Sequence, residues 1–216
     1  MGDYFSLDEI CNKNDFVLVD TCAFEESLAN PSKEVYSPKE RLERIINSNR
    51  NLSFWLERIP LYKKIYSTDG IVSEIRNWKY NYKKAIKEPI FKNRSRKIIP
   101  KLRRELSVNK KNRINLTNLL ESEGRIFKIS ESQKQIYNLF SERYSFLADE
   151  FDLSEVDFDL LILGGVISRE KNTSIISNDL RGIRNAWRFF LKQEVPSGRG
   201  FYFYSAYGVN FFKREK

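Results

Sequence analysis

Apolar and polar positions alternate along this chain in two distinct rhythms. Phe16-Val17-Leu18-Val19 is a continuous apolar run that ends abruptly at Asp20. Such a run, stopped by polar residues, predicts a strand buried on both faces of a parallel sheet. Lys64–Tyr66 predicts a short second strand, Arg125–Ile129 another after Gly124, and Ser174–Ser177 a buried one ending at Asn178-Asp179. Phe201–Tyr204 continues the series as an aromatic strand.

Between these runs the period changes to that of a helix. Residues 3–14 predict a short helix or turn leading into the strand, with Asp3 or Ser6 as the cap. Ser37-Pro38-Lys39-Glu40 opens a helix with Leu42, Ile45 and Ile46 on its apolar stripe, and a second helical piece spans about Leu52–Lys64, broken near Pro60. Ile71, Val72, Ile75 and Trp78 recur at helical spacing from about Gly70, which places Glu74 one turn inside that helix. Pro89 and Pro100 divide residues 76–113 into short helices; Ile114–Leu120 and Gln133–Leu147 are amphipathic. Ser154 followed by Asp157 forms a capping-box pattern ahead of Leu160–Ile167, a stretch apolar nearly all round, where Gly164-Gly165 admits a close neighbour. A basic helix, Arg181–Lys192, follows. Helices alternating with short apolar strands imply an α/β sheet.

At 216 residues the chain is long enough for one domain carrying an insertion. No run of about 18 apolar residues suggests a membrane span. Met1–Asn14 lacks the apolar segment of a secretory signal, and Cys11 and Cys22 fit free thiols, so a cytoplasmic protein is expected. The absence of histidine removes Ser-His and Cys-His catalysis and the ordinary zinc hydrolase site. For hydrolysis near neutral pH, the simplest remaining device is a carboxylate-held metal that activates water.

Charge is unevenly placed. Residues 75–113 hold fifteen Lys/Arg against Glu88 and Glu105, an excess of 13 in a chain whose total is +9, so the remainder carries −4. This asymmetry favours a polyanionic partner. Lys83, Lys84, Arg94, Arg96, Arg103 and Arg104 in this segment, with Arg181 and Arg184 beyond Asp179, are candidate phosphate contacts. Trp78, Tyr80 and Tyr82 offer faces for unpaired bases, although the helical phase of Trp78 favours the core.

Two predicted strands end in aspartates, Asp20 and Asp179, and two predicted helices offer acids in their first turns, Glu74 and Asp157 or Asp159. Carboxylates in contact repel one another, and a hard cation such as Mg²⁺ or Mn²⁺ relieves the repulsion. Each acid also has an ordinary reading: Asp20 and Asp179 as turn caps, Glu74 as a surface partner of Arg76 or Lys79, Asp157 as the capping-box acid. Asp157 and Asp159 lie about 200° apart on a helix, so one of the two is expected to reach a metal.

Val19-Asp20-Thr21, Val72-Ser73-Glu74-Ile75, Leu153-Ser154-Glu155-Val156-Asp157 and Ile176-Ser177-Asn178-Asp179 together resemble the ordered acidic motifs of the PIN-domain ribonucleases, across residues 16–190. The resemblance implies a three-layer α/β/α sandwich with a central, mostly parallel sheet. It casts residues 1–216 as a single PIN-like domain with a basic helical insertion at about 75–130. It implies an endoribonuclease in which Asp20, Glu74, Asp157 and Asp179 hold Mg²⁺ or Mn²⁺, with Asp159 as the other version of the third acid and Thr21 as a polar neighbour. It leaves room for a protein inhibitor of the antitoxin kind and for a homodimer. Rivals are a non-catalytic module that binds RNA or protein, and a nuclease acting on single-stranded or flap DNA. An aspartyl-nucleophile phosphatase is disfavoured, because Cys22 stands where its second aspartate belongs.

Overall fold

The computed structural model describes residues 3–24, 38–77, 98–194, 200–207 and 211–215. Six strands form one sheet: β1 (Tyr4–Phe5), β2 (Phe16–Val19), β3 (Ile65–Tyr66), β4 (Thr173–Ile176), β5 (Phe201–Tyr207) and β6 (Phe211–Arg214), in the order β1-β6-β5-β4-β2-β3. β5, β4, β2 and β3 run parallel, whereas β6 is antiparallel to both β5 and β1. The all-apolar β2 occupies an interior position and is buried along its whole length, as its unbroken apolar run requires. Arg125–Ile129 does not form the expected strand. It contributes one parallel bridge, Ile126 to Ser67, which extends the line of the two-residue β3.

The helices are α1 (Leu7–Lys13), α2 (Thr21–Phe24), α3 (Pro38–Arg58), α4 (Asp69–Arg76), α5 (Ile98–Ser122), α6 (Glu131–Arg143), α7 (Phe146–Glu150), α8 (Glu155–Ser168) and α9 (Ile183–Glu194). Ser6, Ser130 and Ser154 each close a capping box, so these starts are written locally. Two expectations are corrected. The two helical pieces expected between residues 38 and 64 are the single α3, followed by a 3₁₀ turn at Ile59–Leu61. Pro100 does not cut a helix, because it lies in the first turn of α5, where proline is tolerated.

Helices cover both faces of the sheet. Phe203 of β5 meets Trp187 of α9 at 5.7 Å between ring centroids. Phe212, paired with Ala206 and therefore on the opposite face, meets Trp55 of α3 at 6.1 Å. The molecule is a mixed α/β fold compatible with a three-layer α/β/α arrangement. Apolar α8 packs on the sheet and against α6 and α9. A Cβ on Gly165 would stand 2.3 Å from Phe190, and one on Gly164 would stand 2.7 Å from Phe201, so the glycine pair does admit close neighbours.

α5 lies along α3 in the same direction: Asn49 bonds to Glu105 and Asn112 bonds to Ser53. Beyond the main core, Leu42, Ile45, Leu102 and Leu106 form a separate small apolar cluster between these two helices. Among the described residues, no helix is long and apolar enough to cross a membrane.

Candidate active site

From β2 the chain moves to β3 on one side, while β4 lies on the other. The crevice outside the carboxyl ends of β2 and β4 is therefore a topological switch point, where ligands collect in open α/β sheets. Parallel register sets Val19 beside Ile176, so Asp20 and Ser177 leave the sheet side by side.

Asp20 is only 3% exposed. Its Oδ1 accepts from the Thr21 amide at 2.6 Å, and its Oδ2 accepts from Ser177 Oγ at 2.8 Å and Cys22 Sγ at 2.7 Å. Burial, reinforced by the Asp157 carboxylate, pushes Asp20 up to about 6 against the pull of these three bonds. The Cys22 thiol is driven well above its ordinary range by burial and by Asp20, so it serves as a donor to the carboxylate rather than as a nucleophile.

Glu74 comes from α4, which starts at its N-cap Thr68. Its Oε2 accepts from Thr21 Oγ1 at 2.6 Å, tying α4 to the first residue of α2. Burial pushes Glu74 upward and Asp157 adds to this, while the Thr21 hydroxyl opposes it.

Asp157 is the capping-box acid of α8, with its Oδ2 accepting from Ser154 Oγ at 2.7 Å. Burial raises its pKa, the Ser154 bonds resist, and the Asp179 carboxylate adds to the rise. Asp157 thus lies within electrostatic reach of Asp20, Glu74 and Asp179. Asp159 faces elsewhere: Tyr137 of α6 donates to it at 2.6 Å, and its charged neighbours are Glu155 and Asp69. Burial and Asp159 push the Tyr137 phenol up to about 12.

Asp179 accepts from three backbone amides ahead of α9: Arg181 and Gly182 on Oδ1 at 3.1 and 2.9 Å, and Ile183 on Oδ2 at 3.0 Å. A Cβ on Gly182 would lie 2.3 Å from Asp179 Oδ2, so this cap requires glycine. The Asp179 amide donates in turn to Ser177 Oγ at 3.0 Å, and one hydroxyl thereby links the ends of β2 and β4.

The four acids therefore share one edge of the sheet. Among the described residues, however, no group of three or more acids or cysteines is arranged to hold a metal ion as it stands. Asp157 and Asp179 turn their oxygens onto donors of their own loops, and Asp20 onto Thr21, Cys22 and, across the sheet, Ser177. The all-oxygen donor set suits a hard cation, and three of the acids are pushed toward protonation, as carboxylates lacking a countercharge are. The fit is one of chemistry and placement, without an assembled coordination shell.

Ser177 and Cys22 are site residues that the hydrophobic pattern does not reveal as partners of Asp20. The role of Ser177 follows from the β2/β4 register, its local signal being a hydroxyl two residues ahead of a strand-end aspartate, whereas Cys22 reaches Asp20 locally, from two residues further along. Of the expected phosphate contacts, Arg181 is exposed beside Asp179, and Arg103 and Arg104 are exposed on α5. Arg184 instead donates to the buried Glu215 at 3.1 Å. Lys83, Lys84, Arg94 and Arg96, like Trp78, Tyr80 and Tyr82, lie outside the described residues. Compared with known proteins, the chain matches no family pattern, no curated protein and no solved structure.

Proposed function

We propose that the protein is a metal-dependent endoribonuclease, with Asp20, Glu74, Asp157 and Asp179 as the acids that hold Mg²⁺ or Mn²⁺. The observation that carries this reading is that acids from four distant segments line the sheet's switch point, with Asp157 acting on Asp20 and Glu74 and itself acted on by Asp179. When bound, a divalent cation supplies an activated water and charge neutralisation at a phosphate. Thr21 positions Glu74, Ser177 positions Asp20, and Ser154 holds Asp157 beside them. Exposed Arg181 and the basic face of α5 attract the RNA backbone, which accounts for the charge asymmetry. The resemblance to PIN-domain ribonucleases agrees with this reading through the same four acids.

The test is cleavage of single-stranded RNA with Mn²⁺, with EDTA, and by Asp20→Asn. Cleavage is expected only by the wild type with metal, and the variant should fall by at least a hundredfold while binding RNA normally. Equal activity of the two proteins, or activity that survives EDTA, overturns the proposal.

One observation favours a second reading, a non-catalytic RNA-binding module: three of the acids already serve as caps or turn acceptors. A Mn²⁺ titration separates the two. A melting temperature raised by metal in the wild type but not in Asp20→Asn supports the nuclease, and none in either supports the binder.

A further inference from the structure

α5 buries Leu102, Leu106 and Leu116. At 100° per residue, Arg104, Ser107, Lys111, Asn115 and Asn118 then fall on its opposite side, and all five are exposed. They make a row about 21 Å long at 1.5 Å per residue. From Ile98 to Leu120 the helix carries six Lys/Arg against one acid, Glu105, and that acid accepts from Asn49 of α3. A helix face that is merely solvated interleaves both signs, as α3 does in its Lys39–Glu43 pair. The outer row of α5 holds no acid, and among the described residues neither Arg104 nor Lys111 makes an ion pair. Such a row attracts a polyanion. Which polyanion is decided by what accompanies the cations. Grooves for single strands add aromatic side chains on which the bases stack. α5 has no aromatic residue, and its exposed apolar side chains, Val108 and Ile114, are aliphatic. Double-helical RNA keeps its bases stacked and presents phosphates and 2′-hydroxyls, which cations, hydroxyls and amides can meet.

We infer that the outer face of α5 holds the backbone of an RNA stem, with Arg104 and Lys111 on phosphates and Ser107, Asn115 and Asn118 on 2′-hydroxyls. The double-helical form rests on α5 alone. The choice of RNA, and a cut in an unpaired stretch next to the stem, rest on the nuclease reading. α4 brings the two places together, because it carries Glu74 and is joined to α5 by the Arg76–Glu121 pair. Arg104 and Lys111 are seven residues apart and within about 20° of one line, so both reach the same side of a duplex laid along the helix.

The experiment is fluorescence polarisation of a labelled 12-base-pair RNA duplex on the full chain, with EDTA present so that nothing is cut. Arg104→Gln/Lys111→Gln is compared with Lys134→Gln/Lys171→Gln, an equal charge change on α6 and at the amino edge of β4. The α5 variant should bind the duplex at least tenfold more weakly and lose about 1.8 from its log–log salt slope, for two phosphate contacts. On a 12-nucleotide single strand it should lose less than threefold, and the control should stay within twofold of wild type on both. Melting temperatures check that the variants fold; if the double variant melts early, Lys111→Gln alone is used. Equal loss on duplex and single strand overturns the stem, and equal loss in variant and control overturns the surface. A DNA duplex bound as tightly as the RNA one overturns the choice of RNA. A wild type that never cuts with Mn²⁺, yet whose α5 variant loses the duplex, sinks catalysis and spares α5. A wild type that cuts, yet whose α5 variant binds the duplex normally, does the reverse.

Discussion

At the scale of single residues, Asp20 sets stability against chemistry. Its folded-state pKa, about 6, lies above the unfolded value of 3.8, so the folded protein holds this proton more tightly. The resulting stabilisation is complete below pH 3.8 and is lost as pH rises through about 6. At pH 7.5 the ionised group then costs about 3 kcal/mol, at 1.36 kcal/mol per unit. Asp20→Asn is neutral, and with the Ser177 hydroxyl and the Cys22 thiol both turned round it can keep the same partners. The variant should therefore melt several degrees above wild type at pH 7.5, with the difference disappearing near pH 4. Thermal melts across this range check the sign; a variant less stable at pH 7.5 would show that the carboxylate is stabilised where it stands. This part of the site was legible in the sequence, because a buried apolar run stopped by an aspartate says where the acid must lie. That Ser177 would hold it was not legible, because strand register is a property of two distant segments.

At the scale of elements, Asp179 shows how one residue serves as both cap and candidate ligand. Gly182→Ala would drive a methyl group into Asp179 Oδ2 and displace the carboxylate from the amides ahead of α9. A loss of about 1–3 kcal/mol is expected from the crowding, read as a lower urea midpoint at unchanged slope. Helix starts such as Ser154 were legible because a capping box is contiguous. The unity of α3 was not: Asn47-Ser48-Asn49-Arg50-Asn51 reads as a polar interruption. In the fold Ser48 and Asn49 are buried against α5, bonded to Asn109 and Glu105, so the polar stretch is an interface and not a break. Polar burial of this kind depends on a partner helix about 60 residues away, which no local pattern reports.

At the scale of the whole molecule, cohesion is uneven. The main core joins the sheet to α8, α9 and the end of α3, whereas among the described residues the start of α3 meets α5 through a separate small cluster, Leu42, Ile45, Leu102 and Leu106. Leu106→Ala should therefore loosen this outlying pair without melting the sheet. Hydrogen exchange is expected to quicken at residues 42–46 and 98–106 while β2 and β4 keep their protection. Uniform quickening across the sheet would show that the two clusters open together.

The pairing of β1 with β6 sets an order of events during synthesis. Tyr4 finds its partner in Lys213, made more than two hundred residues later, and β6 must first fold back along β5. β1 is thus made before the strand it pairs with, and at some ten residues per second it waits on the order of twenty seconds for that partner. Closure of the sheet edge is a contact of very long range, the kind that forms slowly. For that interval β1 has no strand beside it, and a chaperone or a protease would find its backbone open.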